Sequence, residues 1–254
     1  MRISIMQPGY LPWLGFFELM QGCELFVLLD DVPYTKKDWR SRNRIRTQEG
    51  FQWLTVPVLS RGKRGQLITE AKIDNTASWG KRHLQAIKWN YSKAKFFSRY
   101  IGYFEKIYAR KWDYLLDLDS EIIRWLAEEF CIFTPVVKAS DLGIKGLSGN
   151  LRVIEICKRL KATTLYDGAG AIPFIDGRLF TGAGIDVVFQ NYAHPVYTQT
   201  LRPFFPFMSA IDLLFNEGSN SKDIILSGKG QPVQAISSVD PVISISHATV
   251  KRGL

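Results

Sequence analysis

The chain is poor in the residues that build metal and redox centres. It has three cysteines and three histidines among 254 residues. Cys23, Cys131 and Cys157 are widely spaced and odd in number, so they make neither a CxxC metal pattern nor a disulfide framework. They read as free thiols of a reduced compartment. Cys131, between Phe130 and Ile132, and Cys157, after Ile156, have buried settings, while that of Cys23 is less clear. With only His83, His194 and His247 available, no multi-histidine metal site is expected. No apolar run reaches the roughly 20 residues of a membrane span. Met1-Arg2 runs straight into an apolar alternation, without the long apolar region and cleavage site of a signal peptide. A cytoplasmic protein without a membrane span is the expectation. GxSxG, HExxH, Walker and GxGxxG motifs are also missing, and no cofactor is indicated. Gly168-Ala169-Gly170 is too short to specify a dinucleotide and reads as a tight turn.

Negative charge is also scarce. Against 33 Lys+Arg stand 24 Asp+Glu, a net charge of +9. That balance suits an anionic partner such as a nucleotide, a sugar nucleotide, nucleic acid or a membrane surface, or else an inert basic surface. A hydrophobic content of 46% with 13% aromatic residues is enough for a full core. Strand and helix patterns alternate along the chain without repeats, which indicates an α/β layer fold. We expect a single α/β domain over 1–228 with a helical insertion at about 78–130, and a loosely ordered tail over 229–254. Trp79, His83, Ile87 and Tyr91 recur at intervals of four and share a helix face. Phe51 to Val58 and Leu67 to Ile73 read as strands, Asn150 to Lys161 as a helix, and Ser209 to Phe215 as a final helix capped by Ser209.

Most of the chemistry lies in the first fifty residues. An apolar alternation breaks at Gln7-Pro8 into a loop holding Tyr10 and Trp13, then gives way to a short amphipathic run. A second apolar run, Leu25 to Leu29, ends in Asp30-Asp31. This strand–loop–helix–strand unit gathers polar residues at strand ends, where open α/β sheets bind ligands. Tyr and Trp are costly in a mere connector, so Gln7, Tyr10 and Trp13 are candidate substrate contacts. One carboxylate of the acidic pair, Asp31, is a candidate base facing the crevice; alternatively the pair caps a turn. Lys36-Lys37 and Arg40-Ser41-Arg42-Asn43-Arg44 follow, with Trp39 among them. Such a run is commonly a solvated face, yet the preference for Arg fits bidentate recognition of phosphate or carboxylate. Lys37, Arg42 and Arg44 are therefore candidate anion contacts, and Asn43, Tyr91 and Tyr197 are further candidate substrate contacts. Gln7, Tyr10, Trp13, Asp31, Arg42 and Asn43 are expected to line one pocket. His83 is either a packed helix residue or a catalytic one, and His194 in Tyr192-Ala193-His194-Pro195 is a candidate acid–base group.

Several blocks together resemble the WbqC-like protein family of bacterial O-antigen and other surface-glycan biosynthesis proteins. They are Met6-Gln7-Pro8-Gly9-Tyr10-Leu11-Pro12-Trp13, Asp30-Asp31-Val32, Trp39-Arg40-Ser41-Arg42-Asn43-Arg44, Trp79 to Leu84, Ala183 to Gln190, His194-Pro195-Val196-Tyr197 and Ser209 to Gly218. The resemblance implies a cytoplasmic accessory enzyme of glycan assembly that transfers glycine or another acyl group to an amino sugar. Two positions depart from the family pattern: Met6, where many members have His, and Asp167, where a small residue is usual. The opening unit is also similar to the first strand, loop and helix of HIGH-motif nucleotidyltransferase-like folds, with Leu14-Gly15-Phe16-Phe17 in place of the histidine motif. The combined expectation is a transferase acting on a sugar nucleotide, with an acyl or aminoacyl donor. The alternative is a non-catalytic accessory or RNA-binding protein.

Overall fold

A computed structural model describes residues 1–235. The chain opens with β1 (Arg2–Met6), α1 (Leu14–Gln21) and β2 (Leu25–Leu28), then forms a hairpin of β3 (Arg42–Thr47) and β4 (Gly50–Thr55). Three helices follow, α2 (Trp79–Tyr91), α3 (Phe97–Ala109) and α4 (Leu115–Glu129). The remainder runs β5 (Val136–Lys138), α5 (Gly149–Arg159), β6 (Thr164–Asp167), α6 (Gly177–Gly182), β7 (Asp186–Phe189), α7 (Ala210–Glu217), α8 (Ser221–Ser227) and β8 (Val233–Gln234).

The six-stranded sheet has the order β5-β2-β1-β6-β7-β8, parallel except for the edge strand β8. Central β1 is covered on both faces: Ile3 and Ile5 are buried on one, and on the other Ser4 is buried with its hydroxyl donating to the Leu19 carbonyl at 3.3 Å. Ile3, Ile5, Val27, Leu165 and Val187 face a layer containing Ile154, Cys157 and Phe180 of α5 and α6. Phe26, Leu28, Tyr166 and Val188 face a larger core built by α1, the hairpin, α2 to α4 and α7. From β1 the chain winds outward through β2 to β5, then returns across the sheet to β6 on the other side of β1. The winding therefore reverses between β1 and β6, and the C-terminal ends of strands at such a reversal are where open α/β sheets bind ligands.

The shared face of α2 is buried: Trp79, His83, Ile87 and Tyr91 are each at most 5% exposed. Burying such side chains stabilises the fold by roughly 1.5–3 kcal/mol each. Ser209 caps α7, its hydroxyl accepting the N–H of Ile211, but α8 follows, so α7 is not the last helix. Arg42 to Thr47 is a strand, because its alternation pairs in register with β4. Two local expectations change. The segment around Leu67 to Ile73 forms a single turn at Ile68–Glu70 between isolated bridges, since no neighbouring strand runs alongside it. Cys131 is exposed, in the turn that ends α4. Lys229 bridges to Tyr192 and β8 pairs with β7, so residues 229–235 follow the sheet edge. His247 and the rest of the expected tail lie outside the described residues. Among the described residues no helix is long and apolar enough to cross a membrane.

Candidate ligand site at the strand ends

At the end of β1 the backbone of two segments meets closely. A Cβ on Gly9 would lie 3.0 Å from the Trp39 carbonyl oxygen, and the Tyr10 N–H donates to that oxygen at 3.1 Å. Only glycine fits such an approach without a shift. Beside it the Arg40 guanidinium donates to Gln7 Oε1 and pairs with Asp38. The Trp39 segment is thereby fastened over the strand end. At the neighbouring end of β6, Gly168 lies close to Met6 and Leu19. Asp167 is 9% exposed and accepts the Gly168 N–H at 2.7 Å. Burial pushes its carboxyl up to about 6. Sequence reading singled out Asp167 only as a departure from a family pattern; the strand order puts it at the switch point.

The hairpin supplies the cations. Arg42, Arg44 and Arg46 alternate along β3 and so share a face, with Arg44 opposite Trp53 and Arg46 opposite Phe51. The Arg42 guanidinium lies 4.2 Å from the Trp53 ring centroid; that of Arg44 lies 5.0 Å from Phe51 and 5.5 Å from both Trp39 and Trp53. Trp39 packs on Trp53 at 5.3 Å and is 44% exposed. Among the described residues neither Arg42 nor Arg44 forms an ion pair, and both Nε atoms are buried without a partner. Burial lowers the pKa of Arg44. These are planar cations stacked on indoles and short of acceptors, a surface suited to phosphate beside an aromatic ring. Arg46 is different: it is 2% exposed, and its guanidinium donates to the carbonyls of Gly50 at 2.8 Å and Pro203 at 2.7 Å.

His194 lies near this face. Its Nε2 accepts the Phe207 N–H at 3.2 Å, which leaves the ring proton on Nδ1, a buried atom without a partner. Burial, reinforced by the charge of Arg44, pulls its pKa down to about 4. At neutral pH His194 is an uncharged donor with one free N–H.

The expectation of one pocket lined by six residues is corrected. Tyr10 is 0% and Asn43 is 1% exposed, sealed beneath the hairpin and α2. Tyr10 bonds to His83 Nδ1 at 2.8 Å and to the Tyr108 hydroxyl, while Asn43 donates to the Leu11 carbonyl at 2.6 Å. His83, which also bonds to the Thr55 carbonyl, is pulled down to about 4 by burial, so it is a neutral core residue. Exposed Lys81 and Arg82 share its helix but point away from that core. Tyr91 and Tyr197 donate to the two oxygens of Asp212 at 2.8 and 2.7 Å, inside the protein. Asp30 accepts from the Ser140 N–H at 2.9 Å and its hydroxyl at 2.7 Å, which ties β2 to the turn after β5. Asp31 is ion-paired with Arg152 of α5, with one oxygen buried and unpartnered. Trp13 stands edge-on to Tyr192 at 5.7 Å, and Lys37 is exposed. Gln7, Arg42, Arg44 and His194 keep surface access around the Trp39 segment.

The sequence pattern defining the WbqC-like protein family matches residues 7–224. The chain belongs to this family. The matched stretch in this WbqC-like protein begins just after β1 and holds Gln7, the Trp39 segment, the β3–β4 hairpin, Asp167 and His194. It is 34% identical to "Uncharacterized protein Rv1507c" of Mycobacterium tuberculosis over 226 residues, 88% of this chain and 97% of that relative. No solved structure matches the chain, and the likeness of the opening unit to HIGH-motif nucleotidyltransferase-like folds is unconfirmed.

Proposed function

We propose that this WbqC-like protein is a cytoplasmic transferase acting on a sugar nucleotide in bacterial surface-glycan (O-antigen type) biosynthesis, forming an amide on an amino sugar. The observation that carries the reading is the face on which Arg42 and Arg44 stack on Trp39 and Trp53 without a carboxylate partner among the described residues. In this reading the two guanidinium groups, with Lys37, hold the diphosphate, and Trp39 and Trp53 stack on the base. His194 Nδ1–H donates to a sugar or acyl oxygen. Asp167, with its pKa raised to about 6, is ionised at neutral pH yet basic enough to accept a proton. The amine nitrogen attacks the carbonyl carbon of an activated acyl or aminoacyl donor. The N–C bond forms, the bond to the donor's leaving group breaks, and the amine proton passes to Asp167. Nucleotidyl transfer of the HIGH type is not part of this reading, because Leu14, Phe16 and Phe17 at the start of α1 are buried apolar residues.

A thermal-shift screen with sugar nucleotides tests it, since a ligand specific for the native state raises the melting temperature by mass action. Stabilisation by nucleoside-diphosphate amino sugars, but not by the free sugars, is the expected result. The exposed arginine–aromatic face also suits a second reading, a non-catalytic RNA-binding protein, because bases stack on such platforms. Salt-sensitive binding to single-stranded RNA, without any response to sugar nucleotides, would select that reading instead.

A further inference from the structure

A second basic surface lies away from the hairpin. The segment 61–72 is fastened to the chain beyond β2: Tyr34 N–H donates to the Gln66 carbonyl at 2.8 Å, Ile68 N–H to Val32 at 3.0 Å and Thr69 N–H to Asp30 at 3.1 Å. Lys72 then bridges to Tyr114. Between this strap and Tyr114 is an open cleft of about 540 Å³ lined by Lys63, Arg64, Gln66, Glu70 and Lys72. Three cations face one carboxylate, and the Glu70 carboxylate is already engaged by the Leu67 N–H at 3.0 Å. Among the described residues none of the three cations forms an ion pair. The Lys72 ammonium is held 5.5 Å from the Tyr114 ring centroid. Gln66 is 7% exposed; its Nε2 donates to the Glu70 carbonyl at 2.7 Å, which fixes the amide and leaves Oε1 buried without a donor. A buried acceptor left unpaired is costly and calls for a donor.

We propose that this cleft binds a phosphorylated polyol, namely a sugar phosphate. Lys63, Arg64 and Lys72 hold the phosphate, and Gln66 Oε1 accepts from a sugar hydroxyl. The site is independent of the hairpin face. Titration calorimetry on the full chain, with glucose 6-phosphate, glucose and inorganic sulfate as probes, tests it. Glucose 6-phosphate binds most tightly, because sulfate has no hydroxyl to donate and glucose has no charge. Arg64→Gln and Lys72→Met, both at exposed positions, each weaken that binding by about tenfold, the effect of one lost charged contact. Gln66→Leu removes the preference for glucose 6-phosphate over sulfate, with folding checked by the melting temperature. Lys81→Gln, at an exposed position of α2 outside both basic surfaces, leaves all of this unchanged. Absence of binding, indifference to Arg64→Gln and Lys72→Met, or loss of binding in Lys81→Gln would each overturn the proposal.

Discussion

The guanidinium of Arg42 lies 4.2 Å from the ring centroid of Trp53 on the neighbouring strand, and no acidic side chain neutralises it among the described residues. A flat cation on a flat ring suits this contact, and an ammonium would lose both the stacking and the forked donors. Arg42→Lys is therefore expected to weaken sugar-nucleotide binding by roughly 1–2 kcal/mol while preserving net charge. Calorimetric titration of the two proteins decides it. Equal affinities would reduce Arg42 to part of a solvated face.

His83 is expected to remain uncharged at physiological pH. Burial lowers its folded pKa to about 4 from an ordinary value near 6.5. Between those values the unfolded chain binds the proton and the folded chain does not. This histidine's contribution to stability is thus flat above pH 6.5 and falls as the pH drops towards 4, by up to roughly 3 kcal/mol. An NMR titration of the imidazole should show no protonation above pH 5. A midpoint between 6 and 7 would show that the contact with Tyr10 does not seal the ring.

Asp167 has the opposite sign. Its pKa is raised to about 6, so above that pH the fold holds a buried carboxylate that an unfolded chain would ionise freely. Its contribution is most favourable below about pH 4 and declines as the pH rises to 6, by roughly 3 kcal/mol. Asp167→Asn keeps an acceptor for the Gly168 N–H and removes the charge. Denaturant unfolding should find the variant more stable than the parent at pH 8 and similar at pH 4, with the proposed transferase activity lost. An active variant would remove Asp167 from the proposed chemistry.

Tyr91 and Tyr197 are expected to matter through stability. Both donate to Asp212, which also accepts from Gln199 Nε2 at 2.8 Å. Removing one hydroxyl leaves a buried carboxylate oxygen with fewer donors, so Tyr91→Phe and Tyr197→Phe should each cost about 1–3 kcal/mol. The double variant should deviate from additivity, because the two donors share a partner. Urea unfolding measures both. Unchanged stability together with weakened ligand binding would restore these tyrosines to the binding surface.

The sequence alone determined the elements whose signals are local. The apolar runs of β1 and β2, the four-residue spacing that buries one face of α2, and the Ser209 cap of α7 arise from neighbours along the chain. Arg42 and Arg44 could be singled out as candidate anion contacts because the run prefers Arg to Lys and holds Trp39. Tertiary structure decided the rest. Arg42 to Thr47 became a strand by pairing with β4, and Trp53 entered the site by the same register. Tyr10 moved from an expected pocket wall into the core, and His83 took the packed one of its two readings, because a hydroxyl and an imidazole 73 positions apart satisfy one another there. Asp167 gained its place through the strand order, which sets β6 beside β1 although most of the chain lies between them. Periodicity and capping operate over one turn or one strand. Burial, pKa and the meeting of strand ends depend on contacts between distant segments, and those exist only once the sheet has formed.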